Sequence, residues 1–369
     1  MPAIDPRSGV LQHNAEKATP GYTLFTPLGL YNTYLIDMDG KVVHQWDLPN
    51  DVGNYAYLLE NGNLLAAIRT EEDNPKLPAK GGHLIEYDWD GNIVWEHIDH
   101  MQHHDFRRKP NGNTVYAAWT KQTDPEVWKK IPGGMAGEEH DGAIYTDVVR
   151  EIDPAGNLVW EWDVLKDMEM DKYPIDPSVH RHEYAHANTI SPCPNGDVII
   201  NWRYNNTMAK INYETKKIDW SLRDIGYGQH HDVQMLENGN ILFFANGADV
   251  HIHGPETGSQ VVEVDPATNE EVWVYQGSPR RSFVSWFISG CQRLPNGNTL
   301  ICEGLWGRLF EVTPEKEIVW EYVSPYFVEY EHPAYTGNNI IFRCYRYAAD
   351  SAEIAGRLDE LGCSKSGDK

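Results

Sequence analysis

Six times along the chain a short apolar segment runs into tryptophan, at Trp46, Trp95, Trp160, Trp220, Trp273 and Trp320, and nothing constrains the fold more. The contexts are alike, as in DGNIVWEH, AGNLVWEW, NEEVWVYQ and KEIVWEYV. Intervals of roughly 50 to 65 residues belong to propellers and solenoids, not to one meandering sheet. Upstream of each tryptophan apolar and polar residues alternate, as in HLIEYDWDGNIVWEH, where Asp90-Gly91 supplies the positive φ of a tight type I′ hairpin. A second hairpin follows, turning at Asn61-Gly62, Asn111-Gly112, Asn195-Gly196, Asn238-Gly239, Asn296-Gly297 and, less regularly, Gly337-Asn338-Asn339. Two hairpins per unit give four strands, the content of one propeller blade.

The phase of the repeat predicts how the ring closes. The chain opens with a tryptophan hairpin, residues 30–46, and ends with an Asn-turn hairpin from about Tyr330 to Arg346. Neither is a whole blade, so the two are expected to pair as the closing one. The fold class is therefore all-β: a six-bladed β-propeller of four-stranded blades, the last closed by N-terminal and C-terminal hairpins. Closure removes the open sheet edges that invite aggregation. Residues 1–20 read as an extended N-terminal arm, 21–347 as the propeller, and 348–369 as a short helix and tail. The helix is expected over Ala348 to Leu361, where Ile354, Leu358 and Leu361 fall at helical spacing. The longest insertion, about Thr120 to Ala143, has the length of a lid or binding loop.

Composition narrows the partners. A formal charge of -24 argues against nucleic acid or an anionic membrane surface as partner. Five cysteines, scattered and without CxxC spacing, give no disulfide framework or zinc knot. The first residues carry no apolar run and no stretch approaches membrane length, so the chain is expected in the cytoplasm.

Alignment of the units on their turn glycines locates the chemistry. The first strand of each blade lines the channel of a propeller, and eight residues before each turn glycine stand Asn54, His104, Asn188, His231, Ser289 and, by the irregular turn, Tyr330. All are polar, which suits a lined ligand cavity better than a packed axis. The residues closing the second strands should crown the same mouth: Arg69, Trp119, Arg203 with Tyr204, Asn246, Glu303 and Arg346. Cations, amides and imidazoles would there meet an anionic group.

Histidines sharpen the picture. His103-His104-Asp105 and His230-His231-Asp232 repeat one motif in two units, and His186 stands two residues before Asn188. An imidazole with a pKa near neutral serves as nucleophile, acid, base or metal ligand. His140, His180, His182, His251 and His253 could reach the mouth from loops. Asp105 and Asp232 either orient a histidine or cap a strand start, while Arg107 and Arg108 are expected along a blade surface.

The stretch from His186 to Gly247, with HAN at His186–Asn188 and QHHD ending in His231-Asp232, resembles the core of bacterial aryl sulfotransferases. That resemblance implies a six-bladed propeller that moves a sulfuryl group between phenols through a sulfohistidine. It implies His231 as the nucleophile and His186 and Asn188 as the HxN element. The chain departs from the family at two places. Arg203-Tyr204 stands where the family has Arg-His, and Phe244-Ala245-Asn246-Gly247 where it has FDNG.

Three functions follow. In the leading one His231 attacks an aryl sulfate, His186, Asn188, Arg203 and Arg223 hold the sulfuryl oxygens, and Tyr204 or His104 protonates the leaving phenolate. His230, Asn246 and Arg69 complete the binding set, and no cofactor is required. The second is a metal-dependent lyase or hydrolase, with a divalent ion on His104, His186 and His231 and Tyr204 as acid or base. The third is a propeller that binds without catalysis.

Overall fold

The computed structural model describes residues 7–72, 77–135, 139, 141–247, 258–329 and 335–358. The chain is an all-β, six-bladed β-propeller whose six antiparallel sheets fall three to each of two compact units. One unit comprises residues 1–72, 81–100 and 275–369, the other 73–80 and 101–274. No helix among the described residues is long and apolar enough to cross a membrane.

In the first unit one blade runs Val52–Leu58, Leu64–Arg69, Gly82–Tyr87 and Ile93–Ile98 in sequence order. A second runs Gly290–Arg293, Thr299–Glu303, Arg308–Val312 and Ile318–Val323. The arm is extended as expected, but it is no free appendage. Gly9–His13 pairs antiparallel with Ile318–Val323 as a fifth strand, and Val319 and Trp320 beneath it are fully buried.

The closing blade differs from the expected two-plus-two arrangement. Its order is Ile341–Tyr347, Tyr22–Pro27, Asn32–Ile36 and Val42–Asp47, one C-terminal strand against three N-terminal ones. The turn at Gly337-Asn338-Asn339 precedes the first strand instead of following it. Its polar groups are satisfied by residues 324–328: Gly337 N–H donates to Val328 O, Val328 N–H to Asn338 O, and the Asn339 amide to Ser324 O at 2.8 Å. Tyr330 lies outside the described residues. Beyond the blade, 348–358 forms turns in place of the expected helix. Gly356 adopts φ +79°, and a segment this short is a marginal helix in water. Ile354 is nonetheless buried there.

The second unit holds three blades. They are Gln102–Arg108, Thr114–Gln122, Ile144–Ile152 and Leu158–Asp163; Ala187–Pro192, Val198–Trp202, Thr207–Ile211 and Ile218–Arg223; and His231–Met235, Ile241–Ala245, Gln260–Asp265 and Glu270–Gln276. Second strands are mostly apolar because both faces are covered. Val198–Trp202 and Ile241–Ala245 are buried at every residue. Each such Ile or Phe contributes about 1.5–3 kcal/mol on burial.

Two repeated contacts join these strands. The tryptophan of a fourth strand donates through Nε1 into the neighbouring blade, Trp46 to Asp88 O, Trp160 to Tyr213 O, Trp220 to Asn269 Oδ1 and Trp320 to Met38 O, all at 2.9–3.0 Å. Within a blade, the asparagines of the Asn-turn donate to a glutamate on the third strand. Asn63 reaches Glu86 at 2.7 Å, Asn113 Glu151 at 2.7 Å, Asn240 Glu263 at 2.6 Å and Asn298 Glu311 at 2.6 Å. The blade beginning at Ala187 inverts the charges: Lys210 holds the glutamate's register opposite Ile199, and the turn supplies Asp197, 3.4 Å away.

Candidate functional site

Bulges at the start of the first strands set the geometry. Against its second strand the register slips between Tyr116 and Ala117, between Ala187 and Thr189, and between His231 and Gln234. The extra residues there include His104 and Asn188, and His104 takes φ +48°. A bulge of this kind re-aims a side chain and ends regular pairing. His104, Asn188 and His231 all lie buried at or beside these register slips.

Around them the second unit builds a continuous chain of rings. Trp119 stacks on His103 with centroids 4.2 Å apart, and His103 meets His104 edge-on at 5.0 Å, their Nδ1 atoms 2.8 Å apart. His104 meets His186 at 4.5 Å, and His186 stacks on Tyr204 at 4.2 Å. Burial, with His186, His103, His231 and Arg203 adding to it, holds His104 well below the usual imidazole pKa. Burial, then Arg203, does the same to His186. Burial also raises the Tyr204 phenol far above its ordinary value, so its proton stays in place. Arg203 is the cation here, its Nε donating to Gln229 Oε1 at 2.8 Å and its guanidinium 5.7 Å from the Tyr204 ring.

Amides fix the remaining two histidines. His231 Nδ1 lies 2.6 Å from Asn246 Oδ1. An amide oxygen only accepts, so His231 carries its proton on Nδ1 and its lone pair on Nε2. Asn201 Nδ2 donates to His230 Nδ1 at 2.8 Å, which puts the His230 proton on Nε2. Burial lowers the His230 pKa to about 4. Asn188 Nδ2 donates to His230 O at 3.1 Å, linking two neighbouring first strands.

Two carboxylates escaped the sequence reading. Glu183 Oε2 is 2.6 Å from His186 Nδ1, and burial raises its pKa to about 7. Asp147 Oδ2 accepts from Ala185 N–H at 3.0 Å and Ala187 N–H at 2.7 Å, which fixes the backbone on both sides of His186. Its Oδ1 approaches His103 Nε2 at 3.3 Å, out of line for a hydrogen bond. Glu183 owes its place to the two insertions of this blade. Gly133–Met135 pairs in parallel with Ile175–His180, Trp128 packs on the core, and Glu183–Tyr184 then joins Ile144–Ile152. The described part of the long insertion is thus packed structure. Nothing in turn phase or motif singled out Glu183; its only signal was its place three residues before His186.

Other expected residues go elsewhere. Arg223 bonds Asn205 O and Pro174 O at the end of a fourth strand. Arg69, Asn54 and Ser289 belong to the first unit, where Arg69 pairs with Glu71 at 3.4 Å. In that unit Glu303 pairs with Arg308 at 2.8 Å. Arg346, on a first strand and not a second, is buried against Glu311 at 2.9 Å. Asp105 ties two neighbouring first strands, its Oδ2 accepting from Ile190 N–H within the next blade at 2.8 Å and its Oδ1 from Phe106 N–H at 2.9 Å. Arg107 does not lie out along a blade surface; it sits 3.9 Å from both Asp105 and Asp232. His182 faces Glu183 at 3.8 Å and Tyr204 at 5.9 Å, with His180 beyond it. His140, His251 and His253 lie outside the described residues. Among the described residues no group of three or more His, Cys, Asp or Glu is arranged to hold a metal ion.

Known proteins resemble this chain in fold and family. A protein of unknown function from Bacteroides caccae is 14% identical, with 89% of this chain and 99% of that one covered at a TM-score of 0.57. A streptogramin B lyase is 12% identical over 88% of this chain and 85% of its own, at 0.46. A virginiamycin B lyase from Staphylococcus aureus is 11% identical over 87% and 90%, at 0.48. The first likeness is one of fold, and nothing is drawn from the two lyases. No curated protein sequence matches. The model of the arylsulfotransferase (ASST) family, however, matches residues 82–325, which takes in every residue of the ring chain and both amide-fixed histidines. The chain belongs to the arylsulfotransferase family.

Proposed function

We propose that the protein transfers a sulfuryl group from an aryl sulfate ester to a phenolic acceptor, with His231 as the nucleophile. The observation that carries this reading is the 2.6 Å contact from His231 Nδ1 to Asn246 Oδ1, which leaves the lone pair on Nε2. Family membership supports the same chemistry. Nε2 attacks sulfur, the bond from sulfur to the aryl oxygen breaks, and its electron pair leaves on that oxygen. A phenol oxygen then takes the sulfuryl group from the imidazole in a second displacement.

Three groups suit the sulfuryl oxygens: the Arg203 guanidinium, the His186 imidazole and the Asn188 amide. Tyr204 keeps its proton, so its hydroxyl donates a hydrogen bond to the leaving oxygen. His104 is neutral at physiological pH and can relieve the acceptor phenol of its proton. The route calls on no cofactor, and its substrates are small, anionic or phenolic.

The test is release of 4-nitrophenol from 4-nitrophenyl sulfate with phenol as acceptor. His231→Ala is expected to lower turnover by at least about a thousandfold. Absence of turnover in the native protein, or full turnover in the variant, would sink the proposal.

A further inference from the structure

We propose that Glu183 is a positioning residue: held 2.6 Å from His186 Nδ1, its carboxyl in the acid form donates to that nitrogen and sets His186 as the Nε2–H tautomer, a donor for an incoming anion. This deepens the transferase reading and rests on it for the identity of the anion.

The pair shares one proton across a contact of this length, and two arrangements are open to it. A carboxylate accepting from Nδ1–H leaves a lone pair on Nε2, which repels a sulfuryl oxygen. A carboxylic acid donating to Nδ1 leaves Nε2–H, which binds one. The surroundings choose between them. Glu183 is fully buried, and among the described residues its Oε1 receives no hydrogen bond; His182 Nε2 is 3.8 Å away. Asp147 beside it has two backbone donors for its charge, and Glu183 has none among the described residues. Of the two carboxyls, Glu183 is the one that a proton relieves. The ring cannot turn to evade this, because Tyr204 stacks on one side and His104 meets it from another.

The groups that face the pair act in both directions. Burial and Asp147 raise the Glu183 pKa, while His182, His103 and Arg203 lower it, and the balance is about 7. Burial, Arg203 and His103 keep His186 neutral, with Asp147 opposing them. Glu183 is thus protonated below about pH 7, and an anion at Nε2–H holds it so. Anion binding takes up a proton.

Selective 15N labelling of histidine reads the tautomer directly, with the His186 signals identified by their loss in His186→Gln. The native protein is expected to show Nε2–H at pH 6 and to shift toward Nδ1–H as pH rises through about 7. In Glu183→Gln the side-chain amide donates to Nδ1 at every pH, so Nε2–H should persist to pH 9. Affinity for inorganic sulfate, measured by calorimetry, should fall about tenfold per pH unit above pH 7 in the native protein and stay flat in the variant. Nδ1–H at pH 6, or a variant that titrates like the native protein, overturns the proposal. If Glu183→Gln does not fold, the native titration decides alone. Loss of 4-nitrophenyl sulfate turnover with the tautomer as stated would count against the transferase only. Turnover with His186 as Nδ1–H would count against the positioning role only.

Discussion

His231 depends on a side chain fifteen residues away in sequence. Without the Asn246 oxygen its two tautomers would compete, and only one presents a lone pair on Nε2. Asn246→Leu is therefore expected to lower kcat/KM for 4-nitrophenyl sulfate about 10- to 100-fold, while Asn246→Asp, which still accepts, should remain within a few-fold of the native protein. Equal activity in Asn246→Leu would show that the contact is incidental. At this scale the sequence was readable wherever the blade repeat fixes position. His104, Asn188 and His231 fall eight residues before a turn glycine, and all three lie at or beside a register slip of a first strand. Glu183 and Asp147 were not readable. One sits after insertions that have no counterpart in other blades, and the other on a third strand, Ile144–Ile152, to which the spacing from a turn glycine assigns no site position.

In four of the blades turn and third strand form one element, tied by asparagine amides on a buried acid. The exception tests the rule, since Lys210 and Asp197 carry the same tie with charges exchanged. Lys210→Glu should cost about 2 kcal/mol in urea unfolding, because it sets a second carboxylate against a buried one. Adding Asp197→Asn should restore most of the loss by supplying the amide that other turns have. A double variant no more stable than the single one would mean the blades do not share this element. Elements with a repeated turn signature were legible, and those at the chain ends were less so. Gly337-Asn338-Asn339 has the residues of a strand-joining turn, yet its hydrogen bonds go to residues 324–328. The expected helix after residue 348 failed for lack of length and because of Gly356.

Over the whole molecule, burial of neutral histidines couples stability to pH. His104, His186 and His230 have folded-state pKa values below that of the unfolded chain. Their contribution is complete above pH 6.5 and is lost as pH falls toward the folded values; for His230, at about 4, the loss amounts to roughly 3 kcal/mol. Glu183 runs the other way: its raised pKa contributes below 4.5, and that contribution is lost as pH rises through about 7. Acid also relieves the repulsion of a chain with charge -24, which opposes the histidine effect. The clean measurement is a difference. Between pH 7 and pH 4.5 the urea midpoint of His230→Gln should fall less than that of the native protein, and parallel profiles would remove His230 from the account.

Closure of the last blade by one C-terminal strand has a consequence in time. Val42–Asp47 leaves the ribosome roughly 300 residues before Ile341–Tyr347, which at 5–20 residues per second is about 15–60 s. Throughout that interval the edge of Tyr22–Pro27 that Ile341–Tyr347 will cover has no mate. Residues 101–274, by contrast, are contiguous, so the blades that carry His104, His186 and His231 can all pair before the last strand is made. During synthesis the half that carries His104, His186 and His231 can assemble while Tyr22–Pro27 still waits for Ile341–Tyr347.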